Sequence, residues 1–169
     1  MSASPHIPAR RRAPALLFLA GIVVLGTALA SQYIGGLQPC ELCLYERWPY
    51  YAIVVVMLLA MLSRNPGIAR AALVLSTLIF LGSTALAAYH VGVEQHWIEG
   101  PTACTGDLGN AASPDALLQT LQGRQPVQCD VVQWSFHGIS LAGLNVVVSL
   151  ALLAFSLWAA MQTRSDSRS

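Results

Sequence analysis

The sequence has no lysine, and charged residues of all kinds make up only 10% of its 169 positions. Soluble domains carry about 25% charged residues, so this shortage excludes an ordinary soluble protein. The net charge of +1 offers no basic surplus that would indicate nucleic acid, and we expect no such partner. The chain is instead strongly apolar, with 55% hydrophobic residues and a mean hydropathy of +0.57. These values predict an integral protein of the lipid bilayer.

Four apolar runs are candidates for membrane-spanning helices, each of which needs about 20 residues. They cover residues 13–34, 48–62, 71–89 and 138–161. The second is short, so we expect its entry into the membrane to include Arg47, whose charge can stay at the interface. Short connections force successive spans to run in opposite directions. The sequence therefore predicts an all-α membrane protein, a single-domain antiparallel four-helix transmembrane bundle with a long second external loop.

The orientation of the bundle rests on the nine arginines. Seven lie in segments that share one side of the membrane: Arg10, Arg11, Arg12, Arg64, Arg70, Arg164 and Arg168. Because arginine is enriched on the cytoplasmic side, we expect residues 1–12, 63–70 and 162–169 in the cytoplasm, with both termini. Residues 35–47 and 90–137 are then outside. A signal sequence cleaved after Ala30 is an alternative for the first span, and it would leave the other three spans oriented as before.

The second external segment, residues 90–137, has too few apolar residues to form a core of its own. Within it, Ser113 as an N-cap, Pro114 at the first helical position and the leucines that follow favour a short amphipathic helix on the bilayer surface. A solvated loop is the alternative.

Several polar residues lie in or near the third and fourth spans. We expect Glu94 to be solvated, and Trp134 and His137 to mark the return of the chain to the membrane. Asn145 lies inside the fourth span, where an amide is expected to hydrogen-bond to a neighbouring helix.

All four cysteines fall in the two external segments. Cys40 and Cys43 form a Cys-x-x-Cys pair at the mouth of the second span, and Arg47 follows four residues later. If the second helix begins near Pro39, these three side chains lie along one helix face within two turns. The helix dipole and the guanidinium both favour a thiolate, the redox-reactive form of cysteine, although Glu46 opposes them. The pattern predicts a redox-active dithiol.

Other uses of the cysteines fit less well. A zinc site lacks a second Cys-x-x-Cys or a histidine at zinc spacing, and c-type haem attachment lacks a histidine at position 44, so no metal ligand is predicted. A structural disulfide between Cys104 and Cys129 remains an alternative, since closing that loop would stabilise the folded protein by about 3 kcal/mol. The ring between Cys40 and Cys43 is too small to stabilise much, which favours a chemical role for that pair.

The chain resembles the bacterial disulfide bond formation protein B (DsbB) family, quinone-dependent thiol oxidases of the inner membrane. The matching segments are Pro39 to Arg47, Gly100 to Cys104, and Cys129 shortly before Trp134, within a four-span layout over residues 13–161. The resemblance implies a location in the bacterial inner membrane, with the external segments in the periplasm. It also implies a function: a protein-dithiol:quinone oxidoreductase that reoxidises a DsbA-type thioredoxin-fold partner and supports periplasmic disulfide formation.

The same resemblance implies two disulfides, Cys40–Cys43 and Cys104–Cys129, and a role for each cysteine. The partner attacks Cys104, the released Cys129 thiolate attacks Cys40, and Cys43 is left as a thiolate beside the quinone. A bond between Cys40 and Cys129 is an alternative resting state.

Two further residues are expected to bind the cofactor, ubiquinone or alternatively menaquinone. Arg47 would stabilise the thiolate and the negative charge that develops on quinone oxygen. His90 matches the family position for a polar group near the quinone and is preferred over His96; its alternative role is to cap a helix C-terminus.

Three other functions compete with this one. A paralogue dedicated to one specialised partner would use the same chemistry. A non-catalytic scaffold with static disulfides predicts that the Cys40–Cys43 pair does not turn over. An enzyme of the vitamin K epoxide reductase type is disfavoured because its loop cysteines precede the membrane Cys-x-x-Cys, whereas here they follow it.

Overall fold

The computed structural model describes residues 9–63, 65–101 and 127–165. Helix α1 spans Ala9–Tyr33, α2 spans Glu41–Tyr45, α3 spans Arg47–Leu62, α4 spans Pro66–Glu94 and α5 spans Leu141–Ser165. Two short antiparallel strands, β1 (Ser135–Phe136) and β2 (Ile139–Ser140), precede α5. The hairpin was not predicted.

Four helical segments are long and apolar enough to cross a membrane: Arg12–Tyr33, Glu41–Leu62, Pro66–Glu94 and Leu141–Thr163. The predicted all-α four-helix bundle of a multi-pass membrane protein is confirmed. The second segment joins α2 and α3 through the single turn residue Glu46. It begins well before the predicted start at Trp48 because the Cys-x-x-Cys sequence is itself helical.

The connections follow from local chemistry. Helix α1 ends where Gly36 takes a φ of +69°, which lets the Leu37 N–H bond the Ser31 carbonyl at 3.1 Å. Helix α4 begins with Asn65 as N-cap, whose Oδ1 accepts from the Gly67 N–H at 2.8 Å. These short connections keep successive spans close together and antiparallel.

The hairpin before α5 turns at His137 and Gly138, whose φ values of 51° and 82° are those of a type I′ turn. Ser140 then accepts from the Gly143 N–H at 3.0 Å and also donates to the carboxylate of Glu94. The hairpin thereby fixes the start of α5 against the end of α4.

The bundle packs mainly through α4 against α5 and α1 against α3. At the second interface, a Cβ on Gly21 would come within 3.0 Å of Val54. The hydroxyls of Ser83 and Ser149 are buried and 3.1 Å apart, joining α4 to α5. At Gly26, by contrast, a Cβ would meet nothing within 4 Å. Close approach therefore depends on a few of the small residues.

Candidate redox site

Cys40 stands at the start of α2 as its N-cap. Its backbone is extended, with φ −72° and ψ 172°, and its sulfur accepts from the Cys43 N–H at 3.2 Å. The side chain is 3% exposed. Cys43 follows one turn later, so the two thiols come together as the spacing predicted, and both are free in the structure. The Cys40–Cys43 disulfide stays a prediction.

His90 reaches this pair from α4, 50 positions further along the chain. Its Nε2 lies 3.6 Å from the Cys40 sulfur, and its Nδ1 lies 2.8 Å from Glu46 Oε1. His90 is 2% exposed and Glu46 8%. Ionisable side chains buried in a membrane bundle are costly unless paired, and this pair meets that condition. The carboxylate therefore fixes the orientation of the imidazole against the dithiol.

The contact from Glu46 continues into α5 and back. Asn145 donates from Nδ2 to Glu46 Oε2 at 2.8 Å and accepts from the Tyr50 hydroxyl at 2.5 Å. Tyr50 in turn lies 2.9 Å from the Ser149 hydroxyl. The predicted bond between Asn145 and a neighbouring helix is confirmed. A continuous set of hydrogen bonds holds Glu46 in place.

Cys129 is buried beside the first pair, at 1% exposure, in a cluster with Cys40, Leu42 and Val93. It is disulfide-bonded. Cys104 lies outside the described residues, as does the helix expected after Ser113. The fold thus brings one loop cysteine to the membrane dithiol.

A cavity of about 440 Å³ opens next to the dithiol. Its size falls within the usual range for small-molecule sites. Apolar side chains of α1 and α5, such as Val24 and Val148, form much of the wall. Much of the polar lining belongs to the site itself: Cys40, Cys43, Glu46, Arg47, Tyr50, His90 and Asn145. Such a lining suits a ligand that combines polar oxygens with an apolar body.

Arg47 lines the same cavity as Cys40 and Cys43. Its guanidinium donates to Gln32 Oε1 on α1 at 2.7 Å while lining the cavity. The Cys40 sulfur is contacted from another helix by His90. Helix α3 therefore presents Arg47 to the cavity, and the hydrogen bond to Gln32 on α1 holds the guanidinium in place.

The pKa of Cys40 lies below its ordinary value, mainly because the Cys43 thiol hydrogen-bonds to its sulfur. Burial and the charge of Glu46 oppose this effect, and the Cys43 backbone N–H adds to it. The neighbouring cysteine thus favours the Cys40 thiolate.

A model of the disulfide bond formation protein DsbB family matches residues 10–159. This chain belongs to the DsbB family. The disulfide bond formation protein B of Methylococcus capsulatus is 31% identical over 156 residues, covering 89% of this chain and 94% of its own. That of Nitrosococcus oceani is 34% identical, covering 80% of this chain and 82% of its own. An uncharacterized protein of Rickettsia prowazekii is 28% identical over 83% of this chain and 81% of its own. Because each match covers most of both chains, the likeness extends over the whole bundle.

Membership of the DsbB family identifies the chain as a membrane protein of disulfide-forming redox function. Two acidic residues of the site had no functional role assigned from the sequence. Glu46 was expected only to disfavour a thiolate, and Glu94 was expected to be solvated; Glu94 is half-buried and lines the cavity. The available signal was position: an acid at a span entrance needs a buried partner.

Proposed function

We propose that this protein is an inner-membrane protein-dithiol:quinone oxidoreductase. It would reoxidise a periplasmic DsbA-type thioredoxin-fold partner and so support disulfide formation in periplasmic proteins. The observation that carries the proposal is the burial of Cys129 in one cluster with Cys40, beside a cavity that Cys40 and Cys43 line. Thiol-disulfide exchange needs the attacking and attacked sulfurs to approach, and this packing supports such an approach.

In the proposed relay, a partner thiolate attacks Cys104 of a Cys104–Cys129 disulfide and releases the Cys129 thiolate. The partner's second thiolate completes its own disulfide and frees Cys104. Cys129 attacks Cys40 of a Cys40–Cys43 disulfide, Cys43 leaves as a thiolate, and Cys104 then closes on Cys129 to free Cys40. Two electrons have then moved from the partner to the Cys40–Cys43 pair.

The acceptor in this proposal is a membrane quinone, ubiquinone or menaquinone, which takes up two electrons and two protons. His90 is placed to hold and return the proton of the Cys40 thiol, since its Nε2 lies 3.6 Å from the sulfur. Glu46 holds the ring in that orientation. Arg47, positioned by Gln32, provides a positive charge at the cavity wall, where it stabilises negative charge.

We further propose the orientation that the arginines predict. Both termini and residues 63–70 would lie in the cytoplasm, and both cysteine-bearing segments in the periplasm. An oxidising compartment suits four cysteines arranged as two redox pairs.

The test is quinone reduction, followed by ultraviolet absorbance, after the detergent-purified protein is mixed with a reduced DsbA-type donor. The intact protein should turn over, whereas Cys43→Ser and Cys104→Ser should fall to the uncatalysed rate. Ser76→Ala serves as a control, since Ser76 is a buried hydroxyl that bonds the Leu73 carbonyl of its own helix. No turnover by the intact protein with any donor or quinone would favour the scaffold instead.

A further inference from the structure

We propose that the reduced Cys40–Cys43 pair and His90 form a binding site for one thiophilic divalent cation, of which Zn²⁺ is the type. The two sulfurs and a ring nitrogen of His90 lie within 4.8 Å of one another. The sequence offered no histidine at zinc spacing because the third ligand comes from another helix. Two cysteines and one histidine are a known donor set for zinc with an open fourth position.

The distance between Cys40 and His90 already suits a tetrahedral cation. With Zn–S near 2.3 Å and Zn–N near 2.0 Å, a tetrahedral centre places its sulfur and nitrogen ligands about 3.5 Å apart. Cys40 Sγ and His90 Nε2 are separated by 3.6 Å. This edge of the site therefore needs no rearrangement of α2 relative to α4 to accept the ion.

The surroundings of His90 are those of a metal-binding histidine. Glu46 contacts Nδ1 at 2.8 Å, which leaves Nε2 directed at the sulfurs, and Asn145 holds the same carboxylate at 2.8 Å. A carboxylate on the second ring nitrogen fixes the tautomer and raises ligand basicity. The fourth position of the ion would be open to the adjoining cavity, where water can complete the coordination.

Binding would form two Zn–S bonds and one Zn–N bond and release the two thiol protons, with no change of oxidation state. A disulfide between Cys40 and Cys43 removes both sulfur ligands, so only the reduced pair binds. Binding itself is independent of the proposed function. Its consequence, a dithiol held as metal thiolates and unable to pass electrons to quinone, rests on that function.

The experiment is a Zn²⁺ titration of the full-length protein in detergent, against a chromophoric chelator. The protein is first reduced with a phosphine, which is then removed. We expect one ion per reduced chain and none per oxidised chain. Cys43→Ser should abolish binding, His90→Asn should weaken it at least tenfold, and Glu46→Gln should weaken it 10- to 100-fold. The matched control is His96→Asn, because His96 is exposed and lies outside the cluster; it should bind as the intact protein does.

Absence of Zn²⁺ binding by the reduced protein, or equal affinity of the His90→Asn and His96→Asn variants, would overturn the proposal. X-ray absorption of the zinc-loaded intact protein provides a test that does not depend on any variant folding. It should show two sulfur ligands with nitrogen or oxygen completing the shell, and a shell without sulfur would reject the site. Quinone reduction is measured separately, so failure of the proposed function leaves the binding result standing.

Discussion

The two ends of the bundle are packed by different chemistry. At the end that carries the α3–α4 connection, here called the turn end, the buried side chains are mostly apolar, as Leu17, Met57 and Leu73 illustrate. A buried hydroxyl there, Ser76, bonds a carbonyl of its own helix. At the other end, the thiol end, buried polar groups of Glu46, His90, Asn145 and Tyr50 bond between helices.

The contrast indicates where the protein accepts an energetic cost. A polar group removed from both water and lipid headgroups must find a partner inside the protein, and a half-satisfied network is worse than an apolar core. The turn end avoids the problem through apolar packing. The thiol end retains ionisable side chains and joins them from three elements, which is typical of a site that needs fixed dipoles and protons.

The largest change should come from breaking the network at the thiol end. Glu46→Ala removes the acceptor of both His90 and Asn145, and loss of one partner of a buried pair costs about 3 kcal/mol. We expect a lower melting temperature in detergent. The measurement is the temperature at which the buried cysteines become reactive toward a maleimide dye. Glu46→Gln retains the shape and one acceptor oxygen, so its melting temperature should lie between those of Glu46→Ala and the intact protein. An unchanged melting temperature for Glu46→Ala would mean that the network does not stabilise the bundle.

A comparable loss of stability at the turn end should leave the chemistry intact. Leu73 is fully buried, and Leu73→Ala should cost about 2 to 3 kcal/mol through the cavity it creates. At a temperature well below unfolding, the rate of quinone reduction should stay within twofold of the intact protein. Loss of turnover with retained fold would show that the two ends are coupled.

The pH dependence of thiol reactivity sharpens the comparison within the thiol end. Because the pKa of Cys40 is lowered, its alkylation should reach half-maximal rate at a lower pH than that of an unperturbed cysteine. The hydrogen bond from the Cys43 thiol is the main cause of the lowered pKa of Cys40. Cys43→Ala removes this bond and should move the midpoint to higher pH. Cys43→Ser keeps a hydrogen-bond donor and should move the midpoint less. A midpoint that does not move in Cys43→Ala would contradict the assigned cause.

The smallest effect should come from Tyr50→Phe. The variant keeps the ring and removes the hydroxyl that joins Asn145 to Ser149. Hydrogen bonds between membrane helices average about 0.6 kcal/mol, so the melting temperature should fall only slightly. Tyr51→Phe, on the exposed face of α3, is the control and should leave it unchanged. A fall as large as that of Glu46→Ala would show that the network acts as one unit.

Much of the architecture could be predicted from the sequence. Four apolar runs predicted the number of membrane-spanning helices, because hydrophobic length is a local property of the sequence. The Cys-x-x-Cys pair was likewise predictable, since its members are one helical turn apart. The predicted second span covered residues 48–62 because Glu46 and Arg47 interrupt the hydrophobic pattern, whereas the helical segment begins at Glu41.

By itself, the sequence determined a membrane bundle with a reactive dithiol at one end, through composition and through spacings of a few residues. Only the tertiary structure decided which side chains meet that dithiol. His90 and Asn145 lie far from Cys40 along the chain, and nothing local in the sequence says which face of α4 or α5 turns toward it. The buried polar groups settle the matter physically, because each must find a partner and they find one another in a single arrangement.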